Sequence, residues 1–173
     1  MTIFERLAQV KAFVLDVDGV LTNGQVLVNE QGEQWRSFNT RDGYAMQLAV
    51  KQQYPFIVIT GGRSQGVAKR LEALGISDVV LNCSDKLSTL KSWAAEKGIP
   101  LDAVLFMGDD VPDLPLLQAV GIPCCPGDAI PDVQDTCVYI SPLNGGAGAV
   151  RDVLEKVLRL QHRWIDSDHI KSI

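Results

Sequence analysis

Histidine, cysteine and aromatic residues are scarce in this chain of 173 residues. The two histidines, His162 and His169, lie near the C-terminus and read as solvated residues of a helix end and a tail. The four cysteines, Cys83, Cys124, Cys125 and Cys137, fit neither a zinc spacing nor a disulfide scaffold. They read as small buried hydrophobes of a cytoplasmic protein. No run of eighteen apolar residues occurs, so no transmembrane helix is expected. The opening MTIFERLAQVKAF carries Glu5 and lacks a secretory pattern. The net charge is −5, there is no long basic run, and the three tryptophans show no stacking pattern, which argues against a nucleic-acid partner. A small anionic substrate stays open, because a metal ion and a few local cations can outweigh the net charge. Internal repeats and low-complexity tracts are also missing.

What is present is an ordinary globular balance, 46% hydrophobic and 21% charged. The length suits one domain, expected over 1–165, with a flexible tail at 166–173. Short Val/Ile/Leu/Phe-rich runs at 11–17, 56–60, 78–81, 103–108, 121–125 and 137–141 read as strands buried on both faces. Helical patterns separate them at 42–53, 64–75, 85–98 and 111–120, and a last one spans 145–164. This alternation predicts a doubly wound, Rossmann-like α/β fold: a mostly parallel sheet with helices on both faces. One piece breaks it. Residues 24–38 read as a β-hairpin around Asn29-Glu30-Gln31-Gly32, inserted after the first strand. A lone hairpin is marginal in water, so it should pack on its own domain or on another copy of the chain.

In such sheets ligands bind beyond the carboxyl ends of the strands. The first strand, in FVLDVDGVLTNG, ends with Asp16 and Asp18, which a period of two places on one face. The second ends with Thr60, Gly61 and Gly62; Asp85-Lys86 opens the helix after the third; the fourth ends with Gly108-Asp109-Asp110, and Asp113 follows. Any one aspartate there is ordinarily a turn former or a cap. Four polar signals at the same ends of four strands point to a site. Converging carboxylates without a Cys/His cluster suit a hard, oxygen-loving cation, and Mg²⁺ fits. A lysine, a hydroxyl and free backbone amides suit phosphate, which a carboxylate can attack to form an aspartyl-phosphate.

The series DVDGV, ITGGRS, DK and GDDVPD resembles the haloacid dehalogenase-like phosphohydrolases in motif type, order and spacing. DVDGVLTNG, the hairpin, FNTRDGYAMQL and GGAGAVRDVLE are closer still to their capless branch, which contains 3-deoxy-D-manno-octulosonate 8-phosphate phosphatase. The resemblance implies Asp16 as nucleophile and Asp18 as general acid and then base. It implies Thr60 and Lys86 as holders of the phosphoryl group. Mg²⁺ would be held by Asp16, the Asp18 carbonyl and Asp109, with Asp110 and Asp113 in support. Asp18 would have to hold a proton and Asp16 to be ionised, with Gly19 letting the chain turn between strand and hairpin.

There is no room for a cap domain; in the resembling enzymes the hairpins of four subunits form a central barrel and a neighbour helps close each site. A homotetramer is therefore expected. Arg41, Arg63, Gly61 and Asn23 are candidate substrate contacts, with a surface pairing of Arg41 and Asp42 as the plainer reading. Ala147 stands where the family commonly has Arg, and Arg151 reads as a helix surface residue. The expected substrate is 3-deoxy-D-manno-octulosonate 8-phosphate, a lipopolysaccharide precursor; a nine-carbon sialic-acid-type sugar phosphate is the alternative. A response-regulator receiver would carry its phosphorylated Asp on a later strand, and GGRSQG lacks the ending of a P-loop. A non-catalytic binding homologue would be expected to lose Asp16 or Asp18, and both are present.

Overall fold

The computed structural model describes residues 1–164, so the expected tail at 166–173 lies outside the described residues. Six parallel strands form the main sheet: β1 (Ala12–Leu15), β4 (Phe56–Ile59), β5 (Asp78–Val80), β6 (Val104–Met107), β7 (Ile122–Cys125) and β8 (Tyr139–Ile140). Their order is β5-β4-β1-β6-β7-β8. Two further strands, β2 (Leu27–Val28) and β3 (Gln34–Trp35), form the antiparallel hairpin between β1 and the first long helix. No cap domain is inserted among the described residues.

Among the described residues seven α-helices flank the sheet: α1 (Ile3–Leu7), α2 (Thr40–Lys51), α3 (Gln65–Ala73), α4 (Lys86–Glu96), α5 (Leu114–Ala119), α6 (Pro131–Thr136) and α7 (Ala149–Leu160). The period of two along β1 sorts the core into two layers. Phe13 and Leu15 face a cluster that includes Val67 and Leu71 of α3 and Val150, Val153, Leu154, Val157 and Leu158 of α7. Ala12 and Val14 face Leu90, Trp93 and Ala94 of α4 and Leu116 and Leu117 of α5. Every residue of β1, β4 and β6 is buried, as parallel strands covered on both faces must be.

The predicted strand and helix order is present, with local differences. The helix expected over 145–164 begins only at Ala149, because Gly146 and Gly148 hold positive φ in the loop before it. The segment 111–120 splits into a 3₁₀ turn at Val111–Asp113 and then α5, with Pro residues at the start of each. Two short helices were not expected. α1 rests on a reciprocal cap between Thr2 and Glu5, and α6 starts on Pro131. Asp42 does not pair with Arg41. Its carboxyl is buried and accepts the Arg151 N–H at 2.7 Å, so α2 caps the first turn of α7.

Candidate active site

The strand order reverses between β4 and β6 around β1, and the carboxyl ends of β1 and β6 meet there. Such a switch point leaves a crevice. A cleft of about 690 Å³ opens at it, lined by Asp16, Asp18, Thr60, Gly61, Gly62, Lys86, Asp109, Asp110 and Asp113 among others.

Asp16 follows β1 directly, and its N–H still donates to Met107 O as the ladder ends. The chain then turns out of strand geometry: Val17 O accepts N–H bonds from Val20, Leu21 and Thr22. Gly19 sits in that turn at φ +84°, and a Cβ there would lie 1.9 Å from Asp109 Oδ2. Only glycine fits both the left-handed backbone and the close carboxylate. The turn also takes Asp18 out of the strand, although it lines the same cleft as Asp16. Asp18 meets Arg36, one residue beyond β3. Arg36 Nε lies 2.6 Å from Asp18 Oδ1, and Nη2 lies 3.2 Å from Oδ2.

Asp109 and Asp113 come from the end of β6. The 3₁₀ turn brings Asp113 back so that its Oδ2 accepts the Asp109 N–H at 3.1 Å. Gly108 permits this approach, since a Cβ on it would lie 2.6 Å from the Asp113 side chain. Asp113 Oδ1 accepts from Lys86 Nζ at 2.8 Å, and the same ammonium lies 3.1 Å from Asp16 Oδ1. Lys86 is the first residue of α4, so the positive end of that helix also faces the cleft. Thr60 is buried; its Oγ1 accepts the Gly62 N–H at 3.0 Å, which leaves the hydroxyl proton for another acceptor. Asp110 lines the rim, where its carboxyl caps Val111 N.

The other sequence-derived candidates sit elsewhere in this chain. Arg63 lines an adjoining groove and donates to Asn82 Oδ1 at 2.8 Å. Asn23 lies at the base of the hairpin, bonded to Gln25. Arg41 lines a separate groove beside Ala147, Arg151 and Arg159. Arg151 is more than a surface residue, with its guanidinium 5.1 Å from the Trp164 ring centroid. Arg36 is the site residue that sequence reasoning missed. Its signal was a cation in EQWRSF, next to an exposed Trp35 in a segment too short to bury anything by itself.

The electrostatics of the acid cluster ask for a cation. Carboxylate oxygens of Asp16, Asp109 and Asp113 lie within 4.8 Å of one another. Burial, then the charge of Asp113, pushes the Asp16 carboxyl up to about 6 against the pull of Lys86. Burial and the neighbouring Asp16, Asp113 and Asp110 push Asp109 up to about 7. Burial alone would pull the Lys86 ammonium down, but Asp16 and Asp113 outweigh it and hold it above the ordinary lysine value. Asp16 Oδ1 is buried and has no well-aligned hydrogen bond, Lys86 lying off its bonding direction. Hard oxygen donors, crowded and incompletely satisfied, fit Mg²⁺.

The same cluster gives a prediction. Asp16 and Asp109 bind protons more tightly folded than unfolded, where the ordinary value is 3.8. Their contribution to stability is complete below that value and is lost as pH rises through about 6 and 7. The metal-free protein should therefore lose Tm between about pH 4 and pH 7, and added Mg²⁺ should raise Tm more at pH 8 than at pH 5. Scanning calorimetry with and without EDTA measures both. A Mg²⁺ effect independent of pH would contradict the shared site.

Residues 74–154 match the haloacid dehalogenase-like hydrolase family. Over 161 residues the chain is 32% identical to the 3-deoxy-D-manno-octulosonate 8-phosphate phosphatase of Yersinia pestis, covering 93% of this chain and 86% of that one. Its fold is similar to the crystal structure of the phosphatase of that name from Moraxella catarrhalis, in complex with magnesium ion, phosphate ion and KDO. The TM-score is 0.90 at 32% identity, covering 94% of this chain and 93% of that one. The cobalt-bound deoxy-D-mannose-octulosonate 8-phosphate phosphatase of Haemophilus influenzae is similar at 29% identity and a TM-score of 0.87, covering 92% and 93%.

Proposed function

The chain belongs to the haloacid dehalogenase-like hydrolases, and on that premise we propose a phosphomonoesterase for 3-deoxy-D-manno-octulosonate 8-phosphate. The products are the free sugar acid and phosphate, a step in making lipopolysaccharide precursors. The observation that carries the reading is the contact of Asp16 with Lys86 at 3.1 Å inside a cleft shared with Asp109 and Asp113. The identity with the Yersinia pestis and Moraxella catarrhalis phosphatases supports the substrate.

Asp16 attacks phosphorus in line with the departing sugar oxygen, and the P–O bond to the sugar breaks. Asp18 gives its proton to that oxygen, because an alkoxide leaves poorly on its own. Lys86, the Thr60 hydroxyl and the backbone at Gly61 hold the phosphoryl oxygens while charge builds on them. Water then attacks the aspartyl-phosphate, Asp18 takes its proton, and the Asp16 carboxylate is restored. Asp16, Asp109 and the Asp18 carbonyl would hold Mg²⁺, with Asp113 close enough to join or to fix Asp109 through its N–H. A bound Mg²⁺ supplies Lewis-acid stabilisation of the phosphoryl oxygens. Acid-quenched turnover followed by peptide mass spectrometry tests the covalent step. A phosphorylated peptide containing Asp16 is expected; phosphate on any other residue would overturn the assignment.

We also place the enzyme in the cytoplasm, in keeping with four free cysteines, and assemble it as a homotetramer through the hairpin. Leu27 is 65% exposed and its cross-strand partner Trp35 55%, an apolar face on a two-pair ladder that lacks its own cover, and Val28 on the opposite face is 58% exposed. Leu27→Glu with Trp35→Glu should yield monomers or dimers at micromolar concentration by light scattering. An unchanged assembly in that variant would rule out the hairpin as the interface.

A further inference from the structure

Arg36 is anomalous for a hairpin residue. The neighbouring Trp35 is 55% exposed, while the Arg36 side chain is only 8% exposed. A guanidinium is not hidden at the edge of an exposed ribbon unless something holds it. Here it is held by Asp18, on both carboxyl oxygens at once. The two-point geometry fixes the plane of the carboxyl group, which a single contact would leave free to rotate. Asp18 lines the cleft and its side chain is 36% exposed, so the clamped carboxyl can still be reached from the cleft.

We propose that Arg36 is a positioning residue, through which the hairpin aims the proton-transferring carboxyl of Asp18 at the leaving oxygen. The inference rests on the reading of Asp18 as acid and base given above. As the P–O bond to the sugar breaks, the electron pair goes to the sugar oxygen, the proton moves to it from Asp18, and a carboxylate is left. The clamp matches that carboxylate. It then holds the same carboxylate in place to take the proton of the attacking water, as the P–O bond to Asp16 breaks and its electron pair returns to Asp16. The hairpin, whose outer face is apolar, thus becomes a part of the chemistry on its inner side.

The test uses the Mg²⁺-loaded full chain and two substrates, the sugar phosphate and p-nitrophenyl phosphate, whose leaving group departs without a proton. Arg36→Gln should lower kcat on the sugar phosphate by about 10- to 100-fold, with KM changed less than about threefold. With p-nitrophenyl phosphate the first step survives and dephosphorylation slows. A burst of about one p-nitrophenolate per site should then precede a slow steady state. Arg36→Lys, a point charge without the fork, should fall between. Equal losses on both substrates with no burst, a change in KM alone, or wild-type kinetics would overturn the proposal. Asp18→Asn runs alongside. If it keeps sugar-phosphate turnover, the reading of Asp18 itself fails; if it loses turnover while Arg36→Gln does not, only the positioning role fails.

Discussion

Asp16→Asn should abolish turnover, lowering kcat by more than about 10⁴-fold, while leaving the protein at least as stable as before. An amide keeps the shape of the side chain but cannot attack phosphorus. Stability should hold because Asp16 is a liability in the metal-free fold: it is buried beside Asp113, and its carboxyl is pushed up to about 6. Removing that charge relieves Asp109 as well, which is held up partly by Asp16. The pH-dependent fall in Tm should therefore flatten in the variant. Steady-state kinetics with thermal melts at two pH values separate the two effects. Lost activity with lost fold would show that Asp16 serves the structure instead.

Lys86→Met should act in the opposite sense on stability. Its ammonium lies 2.8 Å from Asp113 and 3.1 Å from Asp16, and all three side chains are nearly buried. Breaking a buried pair costs about 3 kcal/mol or more, because the charges left behind have no partner. Here two carboxylates are left. Mg²⁺ should recover part of the lost Tm, since it neutralises the same cluster. It should not recover activity. The transferring phosphoryl group loses a fixed cation, and kcat should fall on the order of 10³-fold. Full rescue of kcat by high Mg²⁺ would mean that Lys86 only screens Asp16 and does not hold phosphate.

Particular residues show what could be read from the chain. Runs such as FIVI at 56–59 are apolar on both faces, so a buried parallel strand is the natural outcome, and the polar residue that ends each run falls at the same edge of the sheet. That is why Asp16, Thr60, Lys86 and Asp109 are legible in the sequence as members of one site. Asp113 was legible as an acid near the site, but its contact with Lys86 and its bond to Asp109 N–H depend on a 3₁₀ turn that Pro112 favours and periodicity does not reveal. Asp18 illustrates the limit most clearly. A period of two holds only while the strand lasts, and β1 ends at Leu15. Past that point Val17 O gathers three N–H bonds, and the carboxyl swings to a partner 18 residues away. No spacing rule finds Arg36, because the contact exists only once the hairpin folds back over the loop.

The most direct measurement is phosphate release from 3-deoxy-D-manno-octulosonate 8-phosphate, with Mg²⁺ and with EDTA, beside a nine-carbon sugar-acid 9-phosphate. Release that requires Mg²⁺, is faster with the eight-carbon substrate and vanishes in Asp16→Asn is the expected result. No Mg²⁺-dependent release from either compound would contradict the assignment of a sugar phosphatase built on Asp16.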